Sequence, residues 1–197
     1  MSLDTDAFDT AVLGGGLPAV AEQALAAAGQ HRSSDPAMAM ALLMKAQALA
    51  PEHPAVLIAF YRHHFYGHRL QAARDVARRA LVVAAAALNL PPLWRDVPDA
   101  PLPEARTDAR SRFYLFLLKG YAYLSLRLDD AVEARDALVK LRALDPDDAV
   151  GGSLLEAVRV RALVGEEDMA SRPAEPGPSY FTGATAWDRA TRGLAPA

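Results

Sequence analysis

Four of the five histidines lie close together, at His53, His63, His64 and His68. Imidazoles are common metal ligands and carry protons near neutral pH, so this cluster is the first place to look for chemistry. His64 and His68 are four residues apart, a spacing that puts two side chains on one helix face within reach of one metal. Gly67 stands between them and is expected to end the helix, which takes His68 off that face. In a chain without a single cysteine, thiolate zinc sites, iron–sulfur ligation, disulfides and a cysteine nucleophile are all excluded. Any metal here would need carboxylates or water to complete its shell. Metal handling or metalloenzyme assembly through His53, His63, His64 and His68, with His64 and His68 as the pair, is the alternative reading. No cofactor is expected.

Other catalytic signatures are missing. Gly14-Gly15-Gly16 with Ala19 fits the G-x-G-x-x-A turn that cradles a dinucleotide phosphate, but that turn needs strands before and after its helix. The segment that follows, Ala37 to Met44, reads as a second helix, so the glycines are expected to be a lead-in to the first. There is no Gly-x-Ser-x-Gly, no His-Glu-x-x-His and no P-loop. The acidic groups Asp129, Asp130, Glu133 and Asp136, and Asp145, Asp147 and Asp148, fall where helices should begin, and there they favour the helix dipole. The chain reads as non-catalytic.

The elements that must position these residues are helices. Hydrophobic residues make up 52% of the 197 positions but aromatics only 7%, so alanine and leucine dominate, at helical spacing. Caps and breakers predict seven helices: Leu17–Gln30, Ala37–Leu49, Pro54–Tyr66, Leu70–Asn89, Ser111–Arg127, Asp130–Leu144 and Ala149–Val164. The last should bury one face through Leu154, Leu155, Val158 and Ala162. Residues 90–103 hold five prolines in fourteen positions, which forbids a regular helix. Residues 90–110 are therefore expected to form a crossover loop pinned by Trp94. Residues 1–16 read as a flexible arm, 17–167 as the helical domain, and 168–197, rich in proline and glycine, as a largely disordered tail.

Two helix ends look alike, Leu43 to Pro51 and Leu138 to Pro146. This pattern resembles the tetratricopeptide repeat (TPR), a helix–turn–helix unit of about 34 residues. Setting the family's proline on Pro51 and Pro146 puts its small or bulky second-helix positions on Ala39, Leu43 and Ala46, and on Ala134, Leu138 and Leu141. The intervening unit places its first helix at Leu57, Phe60, Tyr61 and His64, and its second at Ala73, Ala77 and Ala80. In the last unit the first helix matches at Leu118, Tyr121, Ala122 and Ser125. A roughly 27-residue insertion separates these units. The resemblance implies an all-α, right-handed superhelix of helical hairpins whose first helices line a concave groove. Groove positions would be Ala55, Ile58, Arg62, Phe65 and Tyr66 from one unit, and Phe116, Lys119, Tyr123, Leu126 and Arg127 from the next.

Aromatic rings interleaved with basic side chains suit a peptide carrying carboxylates, because rings supply contact area and arginine supplies bidentate pairing. The expected function is therefore that of a protein-binding adaptor whose partner carries acidic groups. Family members that clamp a C-terminal carboxylate use lysine and asparagine pairs, and the one asparagine here, Asn89, falls outside the groove. The Phe60-Tyr61 and Phe65-Tyr66 texture is also similar to accessory proteins encoded beside bacterial metalloenzyme systems, nitrogen fixation among them. With 24 acids against 21 bases the net charge is −3, which argues against nucleic acid as partner. No apolar run approaches the length a bilayer requires, so no membrane partner is expected. The first residues lack a signal-peptide pattern, so a cytoplasmic location is the expectation.

Overall fold

Most of the helices start where a side chain or proline deals with their unpaired N–H groups; Leu70–Ala87, which follows Arg69, has no such cap. The protein is described by a computed structural model covering residues 16–102 and 107–170, with side chains to 161. Helix α1, Ala19–His31, follows Pro18, whose carbonyl accepts the Ala21 and Glu22 N–H groups. Asp35 caps α2, Pro36–Leu49, by accepting the Met38 N–H at 2.9 Å, and Pro36 has no N–H to strand. His53 does the same for α3, Pro54–Tyr66, with Nδ1 accepting from Ala55 at 3.3 Å. Helix α4, Leu70–Ala87, is followed by a single 3-10 turn, Trp94–Asp96. Asp108 and Asp130 cap α5, Ala109–Arg127, and α6, Ala131–Leu144. Helix α7 spans Gly152–Ala170. Among the described residues there are seven helices and no strand, so the protein is all-α, and α1 leads into a second helix as expected.

The helix ends share one construction. After α3, α4 and α5, a residue in the left-handed region, His68, Asn89 or Asp129 (φ 55°, 55° and 58°), turns the chain back. The next N–H then closes onto the helix: Arg69 on His64, Leu90 on Ala85, Asp130 on Ser125, each at 2.9 Å. This six-to-one bond satisfies a carbonyl that the helix leaves open. Gly67 itself has φ −83°, so the left-handed position falls on His68 and not on the glycine.

Short connections make neighbours antiparallel. Helix α1 packs along α2, α3 along α4 and α5 along α6, while α4 also lies fully against α5; the α2–α3 contact is much slighter. Small residues carry the close approaches. Ala39, Ala46, Ala73, Ala77, Ala80 and Ala134 are all buried, with Leu43, Leu138 and Leu141 filling between them.

The connection from α4 to α5 is tied down along its described length. Trp94 and Val97 are buried, and the Trp94 ring centroid lies 6.1 Å from that of Tyr121. Arg95 pairs with Glu133, Lys140 reaches the Val97 carbonyl and Asp99 at 2.5 Å, and the Leu102 N–H donates to Leu144 at 2.9 Å. Residues 103–106 of the expected crossover loop lie outside the described residues.

Helix α7 starts three residues later than the sequence suggests. Asp145 spends its carboxylate on the Ala149 and Val150 N–H groups, which holds that stretch as a turn, and Asp148 then caps Ser153 at 3.0 Å. Of the face expected to be buried, Leu155 is buried and Val158 half-buried, but Leu154 is 60% exposed. Adjacent helical residues point about 100° apart, so Leu154 and Leu155 cannot share one interface. The chain divides into two units, 1–160 and 161–197; in the second, residues 161–170 complete α7, entering the stretch read as a tail. The rest of that expected tail, like most of the expected N-terminal arm, lies outside the described residues.

Candidate functional site

On α3, Ile58, Arg62 and Tyr66 recur every four residues and share one stripe beside Phe65. On α5, Phe116, Lys119, Tyr123 and Arg127 follow at steps of three, four and four and share another stripe. The two stripes meet at Phe65 and Tyr123, whose ring centroids are 5.7 Å apart. Tyr61 stacks on Phe65 at 5.7 Å with only 13° between planes, and Tyr66 meets Phe65 edge-on at 5.4 Å. Gly120 makes this meeting possible. A Cβ there would lie 3.1 Å from the Tyr61 hydroxyl oxygen, tighter than ordinary contact. The result is an aromatic platform, with rings touching across the two helices.

Arginines rest on its edges. The Arg127 guanidinium donates to the Tyr123 hydroxyl at 2.8 Å and lies 5.9 Å from its ring centroid. Arg32, from the α1–α2 connection, sits 4.6 Å above the Tyr66 ring. Arg62 is exposed on α3. None of Arg32, Arg62 and Arg127 pairs with a carboxylate among the described residues. Tyr66 is 58% exposed, an amphipathic ring left at the surface. Tyr61 is different: burial, then the neighbouring Tyr123 and Tyr66, push its hydroxyl far above the usual phenol range, so it stays neutral packing.

Two of the expected groove residues form a separate pair. The Lys119 ammonium lies 4.9 Å from the Phe116 centroid and donates to the Val150 carbonyl in the α6–α7 connection. Burial lowers its pKa, against the pull of Asp148 and Asp145. Its ammonium is thus held by a backbone carbonyl, whereas Arg127 is held by the Tyr123 hydroxyl. Ala55, Ile58 and Leu126 are half-buried at the margins. The structure brings Phe65, Tyr66, Tyr123 and Arg127 of the expected groove residues together, and adds Arg32, which sequence reasoning omitted. The available signal was its position at the end of α1, on the same edge as the ends of α3 and α5.

The histidines do not converge. His53 is used as a cap, and His68 lies beyond α3 in the left-handed turn, so the i, i+4 relation with His64 is not formed. His63 is the core residue, 5% exposed, where the repeat frame gave that role to His64. Their rings meet edge-on at 5.6 Å, and His63 Nε2 and His64 Nδ1 are buried without a hydrogen-bond partner. Burial, then Arg69, lowers both pKa values, and His63 adds to the effect on His64. Both imidazoles are therefore neutral near pH 7. Among the described residues, no three His, Asp or Glu side chains are placed to hold a metal ion, and no helix is long and apolar enough to cross a membrane.

No protein-family model matches this chain, and no solved structure matches it. A curated protein does: an uncharacterized 19.8 kDa protein from the nifW 5′ region of Azotobacter chroococcum mcd 1. The two are 41% identical over 115 residues, which is 57% of this chain and 64% of that protein. The match thus spans less than two thirds of the relative's length.

Proposed function

We propose that this protein is a non-catalytic adaptor, a TPR-like helical array whose α3/α5 platform binds an acidic segment of another protein. One observation carries the reading: Arg32 and Arg127 lie against Tyr66 and Tyr123, Arg62 is exposed on the same face, and none of the three has a carboxylate partner among the described residues. Guanidinium groups left without carboxylate partners beside rings are the standard means of taking up a carboxylate-bearing peptide. The burial of the repeat-frame residues on α2, α4 and α6, and the matching turns after α3 and α5, support the repeat architecture. The relative's gene neighbourhood supports a setting beside bacterial nitrogen fixation, where an adaptor would bring protein components together in the cytoplasm.

The test is site-specific photo-crosslinking in a nitrogen-fixing cell. A crosslinker at Tyr66 should capture a protein through an acidic stretch, and one at Val139 on α6 should not. Combining the Tyr66 probe with Arg62→Glu and Arg127→Glu should abolish capture. Equal capture from both positions would sink the assignment of this face.

A further inference from the structure

The platform needs an acidic, partly apolar occupant, and the chain itself carries such a segment. Residues 1–15 contain Asp4, Asp6 and Asp9 and no lysine or arginine, together with Leu3, Phe8, Val12 and Leu13. Of the other stretches outside the described residues, 103–106 carries one acid and one base, Glu104 and Arg106, and 171–197 has Arg172, Arg189 and Arg192 against Glu175 and Asp188, so neither offers the excess of carboxylates that an arginine-edged face attracts. Charge therefore selects the N-terminal segment.

Its reach is adequate. The described chain opens at Gly16, exposed and at φ 129°, where a Cβ would meet nothing within 4 Å. Arg32 and Tyr66 lie at the far end of α1, whose 13 residues give it a length of about 20 Å. An extended chain covers about 3.3 Å per residue, so eight residues back from Gly16 span roughly 26 Å. Phe8 is eight residues before Gly16, so that much chain is long enough to cover the length of α1 to Tyr66, with Asp6 and Asp9 close to it in sequence. A tether this short holds its end at an effective concentration in the millimolar range, so contacts too weak to detect between separate molecules still close.

We infer that residues 1–15 occupy the α3/α5 platform in cis, their aspartates on Arg32, Arg62 and Arg127 and Phe8 against Tyr66, until an acidic partner displaces them. This rests on the acidic-segment reading above. The occupant acts as a built-in competitor, and it sets a threshold affinity that a partner must exceed.

The absence of cysteine makes the test clean, because one introduced thiol is a unique label site. A nitroxide on Thr5→Cys in the full ¹⁵N-labelled chain should broaden the Tyr66, Tyr123 and Arg127 amides and spare Val139 on α6. Asp4, Asp6 and Asp9→Asn in the same chain should restore those signals, as should high salt. Broadening seen instead when labelled chain is mixed with unlabelled ¹⁵N chain would mean a second copy, and broadening from a Thr182→Cys label would mean the C-terminal segment; either overturns the proposal. A synthetic peptide with residues 1–15 in scrambled order is then added to the Asp→Asn chain. Peptide shifts at Tyr66 and Arg127 without any cis broadening overturn the occupant but leave the acidic-binding reading standing. No response in either arm overturns both.

Discussion

Tyr121 and Tyr123 sit two residues apart on α5 and each holds an arginine, yet they do opposite things. The Tyr121 hydroxyl takes Arg78 at 3.4 Å and donates to Glu133, which in turn pairs with Arg95 beside Trp94. That chain of charges closes on itself, and Tyr121 is 1% exposed. On the other side Arg127 also donates to a tyrosine, but Arg127 itself forms no ion pair with a carboxylate among the described residues. Glu133 is the difference. Where a carboxylate is built in, arginine and aromatic residues fasten the α4–α5 connection to α6; where arginines lack one among the described residues, the same residue types form the face to which the proposed function assigns an acidic partner.

The largest expected effect separates these faces by stability. Trp94→Ala removes a buried indole from the closed side and should cost about 3–5 kcal/mol in urea unfolding. Tyr66→Ala, on the open side, should stay within about 0.5 kcal/mol of the parent. Equal losses would mean that the open rings are core, and the distinction drawn from Glu133 would fail.

Much of this division was legible in the sequence, and its failures have physical causes. Asp35-Pro36, Pro54 and Asp130 announced helix starts because capping is local chemistry. Repeat spacing found the buried alanines and put Phe65, Tyr66 and Tyr123 on one face, since periodicity fixes which residues share a side. Long-range pairing is invisible to periodicity. Lys119 has the right helical position for the platform, yet its ammonium is claimed by a carbonyl 31 residues away. Arg32 is the residue that follows α1, outside the helices whose spacing defined the groove, and reaches Tyr66 from there. The exchange of His63 for His64 as the core residue is a one-residue rotation of about 100°, beyond what an alanine-rich pattern can resolve.

Binding should separate the faces in the opposite sense. Against the acidic segment captured by crosslinking, Tyr66→Ala should cost roughly 2 kcal/mol or more if that ring is an anchor, measured by calorimetric titration. A folded Trp94→Phe variant should bind as the parent does. Loss of binding in Trp94→Phe with none in Tyr66→Ala would place the working surface on the wrong side of α5.

Acid should reach the two faces in different windows. His63 and His64 lie at the end of α3, behind Phe65 and Tyr66, with pKa values held below 6.5 by burial and then Arg69. The unfolded chain takes up protons as pH falls through about 6.5 while the folded chain resists, so stability is full above that value and declines below it. Glu133 behaves later. Burial alone would raise its pKa, but hydrogen bonds from Arg95 and Tyr121 outweigh burial and hold it below 4.5. Its contribution is present above that value and is lost only as pH falls through the lower, folded one. Urea midpoints measured from pH 7.5 down should therefore fall in two stages, and His63→Phe should flatten the first alone. A single fall confined to the carboxylate range would show that the histidines are not buried neutral.

The smallest effect belongs to Arg127, and it should appear in a rate. This guanidinium is exposed, and its one hydrogen bond, to Tyr123, is intramolecular, so Arg127→Glu should leave helicity and unfolding almost unchanged. A charge at the rim steers encounter more than it holds the complex, so the association rate for an acidic segment should fall while dissociation changes little. The Debye length is about 30 Å at 0.01 M salt and 8 Å at 0.15 M, so the defect should be largest at low ionic strength and shrink as salt is added. Arg78→Glu makes the decisive comparison, because Arg78 is also exposed but already engages Asp75 and Tyr121. Stopped-flow traces should show it affecting association less than Arg127→Glu and stability more. If both reversals slow association equally at low salt, the effect reports net charge alone, and the open face has no special claim on an acidic partner.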